Sequence, residues 1–61
     1  MPIVQIHMIE GRTLDQKREL VRSVTDAVVS SVGVPPERVH IVIDEMKREN
    51  FAEAGILNSE A

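Results

Sequence analysis

The chain has 61 residues, of which 43% are hydrophobic, and its formal net charge is −3. With Phe51 as its only aromatic residue and no excess of basic residues, it lacks the cationic face and stacking rings of a nucleic-acid-binding protein. It shows no signal-peptide pattern and no apolar run of membrane-spanning length, so we expect a cytoplasmic protein with no membrane partner.

The length predicts a single domain, residues 1–61. A domain of this size buries only about 60% of the surface that its unfolded chain exposes, so it needs a further source of stability. Disulfides are excluded because there is no cysteine, and the two histidines, His7 and His40, do not have the spacing of a metal site. We therefore expect a homo-oligomer that uses no metal and no cofactor.

Apolar and β-branched residues dominate residues 2–9, which predicts a first β-strand. The alternation places one set of side chains on one face and a second set on the other: Pro2, Val4, Ile6 and Met8 against Ile3, Gln5, His7 and Ile9. Both faces carry apolar groups. We therefore expect the strand to be covered on both sides, in a parallel sheet or at a subunit contact.

Pro2 has two interpretations. Proline is tolerated as the first residue of a strand, where its missing N–H is not needed. Alternatively, removal of Met1 leaves Pro2 with a free secondary amine that can act as a base or a nucleophile. Such an amine is normally charged at neutral pH, so a base here requires an apolar pocket and nearby positive charge to lower its pKa.

The segment after Gly11 predicts a helix that begins at Leu14, because Thr13 and Gln16 match a capping box. Gly33 and the Pro35-Pro36 pair predict where it ends. Apolar and small residues recur at intervals of three and four along one face, with charged residues on the other side. The apolar set is Leu14, Leu20, Val21, Val24, Ala27, Val28, Ser31 and Val32, and the charged set is Asp15, Lys17, Arg18, Arg22 and Asp26.

Residues 39–46 predict a second strand, with Val39, Ile41 and Ile43 on one face. Strand, helix and strand joined by short loops make a right-handed βαβ unit with parallel strands, so the fold class is α/β. The remaining residues, 47–61, contain a Gly55 turn between short apolar pieces and predict a small C-terminal hairpin. Asp44 and Glu45 cannot form a carboxylate pair, since successive strand residues face opposite sides.

Several short motifs together resemble the 4-oxalocrotonate tautomerase family. The resemblance covers the whole chain without gaps and rests on Pro2-Ile3-Val4-Gln5-Ile6-His7, Glu10-Gly11-Arg12-Thr13, Gln16-Lys17, Glu45-Met46 and Phe51. It implies a hexamer built as a trimer of dimers, in which two chains form a four-stranded sheet covered by two helices. It also implies a cofactor-free isomerase of aromatic compound catabolism, acting on small unsaturated 2-oxo or 2-hydroxy acids of the 4-oxalocrotonate and 2-hydroxymuconate type.

The resemblance also assigns roles to residues. Pro2 matches the catalytic base, Arg12 matches the arginine that binds a substrate carboxylate, and Phe51 matches the aromatic residue that makes the pocket apolar. A guanidinium suits this task because it can form a bidentate pair with a carboxylate through two parallel hydrogen bonds, and because it keeps its proton at working pH. A cation beside a helix start also opposes the helix dipole, which favours a functional interpretation of Arg12. We expect Ile9 to help line the pocket.

The family pattern has a second arginine where this chain has His40, to polarise the substrate's oxygen. Histidine is shorter than arginine and only partly charged at neutral pH. Arg38 is a possible replacement on the same predicted strand face, displaced by about 6–7 Å. The departure predicts a weaker 4-oxalocrotonate turnover or a different tautomerase activity.

Glu53 is a second departure, because the tautomerases usually have an apolar residue there. A glutamate at this place resembles the hydratase and 3-haloacrylate dehalogenase branch, in which it activates water. That branch also uses an extra arginine in the first loop, where this chain has Ile9. Three hypotheses follow: a tautomerase, a hydratase or dehalogenase that uses Glu53, and a non-catalytic oligomeric relative.

Overall fold

The computed structural model describes all 61 residues as a βαβ unit followed by a small hairpin. Strand β1 spans Ile3–Ile9, helix α1 spans Leu14–Val32, and strand β2 spans His40–Met46. The hairpin consists of β3, Ala52–Glu53, and β4, Ile56–Leu57. The predicted α/β class, parallel strands and C-terminal hairpin are confirmed.

Helix α1 begins and ends where its capping residues predict. The Thr13 amide donates to Oε1 of Gln16 at 2.8 Å, and the Gln16 amide donates to Oγ1 of Thr13 at 3.1 Å. Gly33 adopts a left-handed φ of +82° and its amide donates to the carbonyl of Val29. The only α-helix of the chain lacks the long apolar stretch that a membrane crossing requires.

The two long strands pair in parallel, from Ile3 opposite His40 to Ile9 opposite Met46. Each strand begins one residue later than predicted. Pro2 precedes β1, and its carbonyl accepts a hydrogen bond from the His40 amide at 3.1 Å. Pro2 therefore lies beside the first residue of β2, at the end of the sheet where both strands start.

The sheet has a covered and an open face. The helix face, covered by α1, consists of Val4, Ile6, Met8, Ile41, Ile43 and Glu45, and the open face consists of Ile3, Gln5, His7, His40, Val42 and Asp44. On the open face Ile3 and Val42 remain 51% and 50% exposed. The chain by itself covers one side of the sheet, so the second cover that the sequence predicts is not supplied within the chain.

The part of α1 that packs on the sheet is narrower than the predicted apolar face. Four predicted residues are half-buried, namely Leu20, Val21, Val24 and Val28, together with Lys17, Thr25 and Val29, which lie outside the predicted set. The other four predicted residues, Leu14, Ala27, Ser31 and Val32, are exposed. A sheet of two strands is too narrow to cover the whole apolar stripe of a helix of 19 residues.

The chain is more extended than a compact domain of its length. None of its 61 residues is fully buried. Its radius of gyration is 14.5 Å, and its extents are 43 × 24 × 13 Å. A compact domain of this length has a radius of gyration of roughly 10 to 11 Å. The apolar surface that the sequence provides is thus left largely open within one chain.

Candidate functional site

The residues predicted to form a site lie at two opposite ends of the sheet. Pro2, Arg38 and His40 lie at the starting end, where β1 and β2 begin. Ile9, Arg12, Phe51 and Glu53 lie at or beyond the finishing end, where both strands end. Six residue steps along β1 span roughly 20 Å. One chain therefore cannot bring Pro2 and Arg12 to the same small ligand.

At the starting end, Pro2 is next to His40 through the backbone hydrogen bond described above. The His40 side chain lies on the open face, in the register position opposite Ile3. Met1 is 68% exposed. While Met1 is attached, the Pro2 nitrogen is part of an amide and has no basic lone pair, so base chemistry requires the removal of Met1.

The predicted position of Arg38 on strand β2 is wrong. Arg38 ends a 3₁₀ turn, Pro36–Arg38, whose last amide donates to the carbonyl of Pro35. Proline suits the first position of such a turn, because its fixed φ is the one required and the N–H that it lacks would have no partner there. Pro36 therefore starts the turn, which occupies the chain up to Arg38. Arg38 and His40 therefore do not belong to one strand face.

At the finishing end, Arg12 lines a cavity of about 220 Å³ between α1 and the helix face. The other lining residues are Met8, Gln16, Lys17 and Leu20. Arg12 forms no ion pair within the chain, whereas the neighbouring helical arginines, Arg18 and Arg22, each pair with a carboxylate. The cavity therefore combines an apolar wall with an unpaired guanidinium.

Lys17 and Glu45 form an ion pair that the sequence pattern did not reveal. The Lys17 ammonium donates to Oε1 of Glu45, and it thereby connects α1 to β2. The helical periodicity predicts Lys17 among the outward charged residues, but it is half-buried. The alternation of β2 contains the missing signal, since it places Glu45 on the covered face, where a carboxylate needs a partner.

The side chains of Asp44 and Glu45, near the end of β2, lie on opposite faces of the sheet, as predicted. Asp44 faces the open side, where Oδ2 lies 3.0 Å from Nδ1 of His7, while Glu45 faces the helix. His7, which is also exposed, has its partner within the same chain.

The C-terminal hairpin forms a second cavity of about 250 Å³, lined by Phe51, Glu53, Ile56, Asn58 and Ala61. It brings Phe51 and Glu53 together, with Phe51 38% exposed. The Asn58 amide donates to the carbonyl of Phe51 at 2.7 Å and closes the base of the hairpin. Ile9, which we expected in the pocket, is half-buried opposite Met46 and lines neither cavity.

The chain is similar to known proteins along nearly its whole length. The family described as tautomerase enzyme matches residues 2–59. A 2-hydroxymuconate tautomerase of Bacillus subtilis is 46% identical over 55 residues, which cover 90% of this chain and 89% of the relative. A structure from a study of 4-oxalocrotonate tautomerase isozymes of Methylibium petroleiphilum has a TM-score of 0.92 at 43% identity, covering 95% of this chain and 91% of the other.

Two further solved structures bear on assembly and chemistry. A chain of a heterohexamer 4-oxalocrotonate tautomerase from Chloroflexus aurantiacus has a TM-score of 0.93 at 33% identity, covering 98% of this chain and 97% of the other. A chain from a study of trans-3-chloroacrylic acid dehalogenase activity has a TM-score of 0.83 at 34% identity, covering 92% and 97%. The same fold thus accompanies both activities.

Proposed function

Since the chain belongs to the tautomerase family, we propose that it is a cofactor-free tautomerase of small unsaturated 2-oxo or 2-hydroxy acids, with Pro2 as its base. The observation that carries the proposal is the cavity of Arg12. Its cation is unpaired, and Met8 and Leu20 supply an apolar wall for the carbon chain of an acid. A guanidinium in such a place binds a carboxylate through charge-assisted hydrogen bonds.

In the proposed reaction, the unprotonated Pro2 amine removes a proton from the enol hydroxyl or from the carbon next to the oxo group. The electron pair left behind delocalises over the conjugated chain. The Pro2 ammonium then returns the proton to another carbon, so that substrate and product are isomers and no electron is gained or lost. Arg12 holds the carboxylate, and His40 is the candidate donor to the substrate's oxygen.

The proposed site needs more than one chain, because Pro2 and Arg12 lie roughly 20 Å apart in one chain. We propose that the starting end of one chain meets the finishing end of another within a homohexamer. The open sheet face and the absence of any fully buried residue support self-association. The heterohexameric relative supports six as the number of chains.

The test of this function blocks the Pro2 amine. Chain that retains Met1, verified by mass, is expected to lose the ketonisation of phenylenolpyruvate and 2-hydroxymuconate, followed by ultraviolet absorbance, whereas chain beginning at Pro2 is active. A control chain with one extra residue at its C-terminus keeps Pro2 free and should stay active. If the blocked chain tautomerises both acids at the rate of the free chain, Pro2 is not the base.

A second candidate function is hydration or dehalogenation of an unsaturated acid. It is favoured by the shared cavity of Glu53 and Phe51, and by the likeness to the chain from the dehalogenase study. In that chemistry Glu53 activates a water molecule and a protonated Pro2 supplies the acid. We place it second because Ile9 occupies the position of the extra arginine that the branch uses.

A further inference from the structure

The cavity of Arg12 contains a second polar donor, which belongs to the capping box of helix α1. Gln16 lines the cavity, and Oε1 of its side chain accepts a hydrogen bond from the Thr13 amide at 2.8 Å. Of the two ends of a side-chain amide, only the oxygen can accept from an N–H group, so this bond fixes the orientation of the Gln16 amide. Thr13 does not line the cavity. The nitrogen, Nε2, is therefore the end of the Gln16 side chain that remains for a ligand.

Nε2 of Gln16 has no partner within the chain. None of the side-chain hydrogen bonds uses its two N–H groups. Of the other polar lining residues, Lys17 is paired with Glu45, whereas the guanidinium of Arg12 is unpaired. The reaction described above uses Arg12 and gives Gln16 no task. Two adjoining donors, one charged and one neutral, are thus available to the same ligand.

A carboxylate in this cavity needs more donors than Arg12 alone supplies. Its two oxygens have about four acceptor sites, and a bidentate guanidinium occupies two of them. Met8 and Leu20 make part of the remaining wall apolar, and a carboxylate oxygen that loses water there without gaining a donor costs free energy. Nε2 of Gln16 can supply that donor at little cost in ordering, because the Thr13 amide already holds the side chain in place.

We propose that Gln16 is a substrate-binding residue, whose Nε2 donates a hydrogen bond to the carboxylate that Arg12 holds. The inference rests on the proposed function, because it assumes that Arg12 binds the acid group of the substrate. The capping box then has two tasks: its oxygen atoms start the helix, and the Gln16 nitrogen binds the substrate. The bound carboxylate does not itself react, so the contact strengthens the binding of substrate and transition state alike.

Three variants separate these two tasks. Glutamate and glutamine both complete a capping box, so Gln16→Glu keeps the cap but replaces the donor with a negative charge. Gln16→Met removes the donor and the capping oxygen without adding a charge. Thr13→Ala removes the hydroxyl that caps the Gln16 backbone amide, but it keeps the backbone N–H that orients the Gln16 side chain.

The value of kcat/KM for phenylenolpyruvate should follow the donor and not the cap. Thr13→Ala should stay near the wild type, and Gln16→Met should fall roughly tenfold, mainly through a higher KM. Gln16→Glu should fall roughly a hundredfold, because its carboxylate also repels the acid. A residue that only caps the helix would give the opposite order, with Gln16→Glu like the wild type and Thr13→Ala impaired. That order, or no change in any variant, in oligomers that sedimentation shows to be intact, would overturn the proposal.

NMR tests the contact without turnover. Crotonate is an unsaturated acid without the oxo or hydroxyl group that the reaction needs, and adding it to the wild type should shift the side-chain N–H signals of Gln16. Their absence from Gln16→Glu assigns these signals. The matched control is Gln5, the only other glutamine of the chain, which lies on the open sheet face and should give unshifted signals.

The two experiments can fail separately. If the wild type turns over no acid, the proposed function fails, but a crotonate-dependent shift of the Gln16 side-chain signals still supports the contact. If those signals do not respond to crotonate, or if they move no more than those of Gln5, the inference is overturned whatever the turnover.

Discussion

At the scale of single residues, chemistry depends on what lies beside each charge. Arg12 and Lys17 are cations that line the same cavity, yet Glu45 neutralises one of them and leaves the other free. Residue type alone would give both the same role. The difference arises from the alternation of β2, which directs Glu45 toward the helix and Asp44 away from it.

The first residue-scale prediction concerns Glu53 and separates the two candidate functions. The tautomerase reaction needs no activated water, so Glu53→Gln should retain ketonisation of phenylenolpyruvate, and the wild type should release no halide from a 3-chloroacrylate. Absorbance of the enol and a halide assay measure the two activities on the same samples. Halide release by the wild type that disappears in Glu53→Gln would instead make the chain a dehalogenase.

At the scale of elements, local capping and turn signals decide where segments begin and end. The capping box of α1 and the left-handed Gly33 form as predicted, because they depend on residues a few positions apart. The backbone conformation of the hairpin loop suits its residues less well. Its two-residue loop places Ala54 at φ +53° and Gly55 at φ +78°, and a residue with a Cβ is disfavoured in the left-handed region.

The element-scale prediction is that Ala54→Gly stabilises the hairpin by about 1 kcal/mol, because glycine adopts a positive φ without steric cost. Amide exchange at Asn58, whose N–H bonds to the Phe51 carbonyl, should slow about fivefold if the hairpin opens before exchange. Gly55→Ala is the opposite substitution and should speed exchange. Faster exchange in Ala54→Gly would show that the loop conformation does not limit hairpin stability.

At the scale of the whole molecule, the chain is incomplete in two respects. It leaves one face of its sheet open and buries no residue fully, which is a poor basis for independent stability. It also holds Pro2 and Arg12 at opposite ends of β1. The second deficit disappears if chains associate so that the starting end of one meets the finishing end of another, whereas the first requires that another chain cover the open sheet face.

The whole-molecule prediction is complementation between two inactive chains. Arg12→Ala should lower kcat/KM for acids roughly ten- to a hundredfold, because it removes a charge-assisted contact. Chain with a blocked Pro2 should be inactive for a different reason. Refolding the two together should restore activity, because mixed oligomers contain sites with a free Pro2 from one chain and Arg12 from another.

The controls are each variant refolded alone and the two mixed after assembly, which should all remain at the level of the single variants. Sedimentation should show that every sample has the oligomeric state of the wild type. Mixed oligomers that show no gain in activity would place Pro2 and Arg12 in the same chain's site and contradict the arrangement at chain ends.

Much of the fold followed from local sequence patterns, and much of the site did not. Helix α1 begins at Leu14 and ends before Gly33 because capping hydrogen bonds join residues three or four positions apart in the chain. The alternation of residues 2–9 likewise predicts the faces of β1 correctly. Arg38 does not share a strand face with His40, because the proline-initiated turn Pro36–Arg38 precedes β2. Lys17 was misassigned because its partner lies 28 positions away in the chain.

The sequence by itself determined the family, the βαβ order and the residues that could act, because short-range periodicity, caps and the spacing of motifs are written directly in it. Only the tertiary structure decided which of these residues meet. Parallel pairing placed Pro2 beside His40, and the packing of α1 on the helix face joined Lys17 to Glu45. Both outcomes depend on long-range register, which no local pattern specifies.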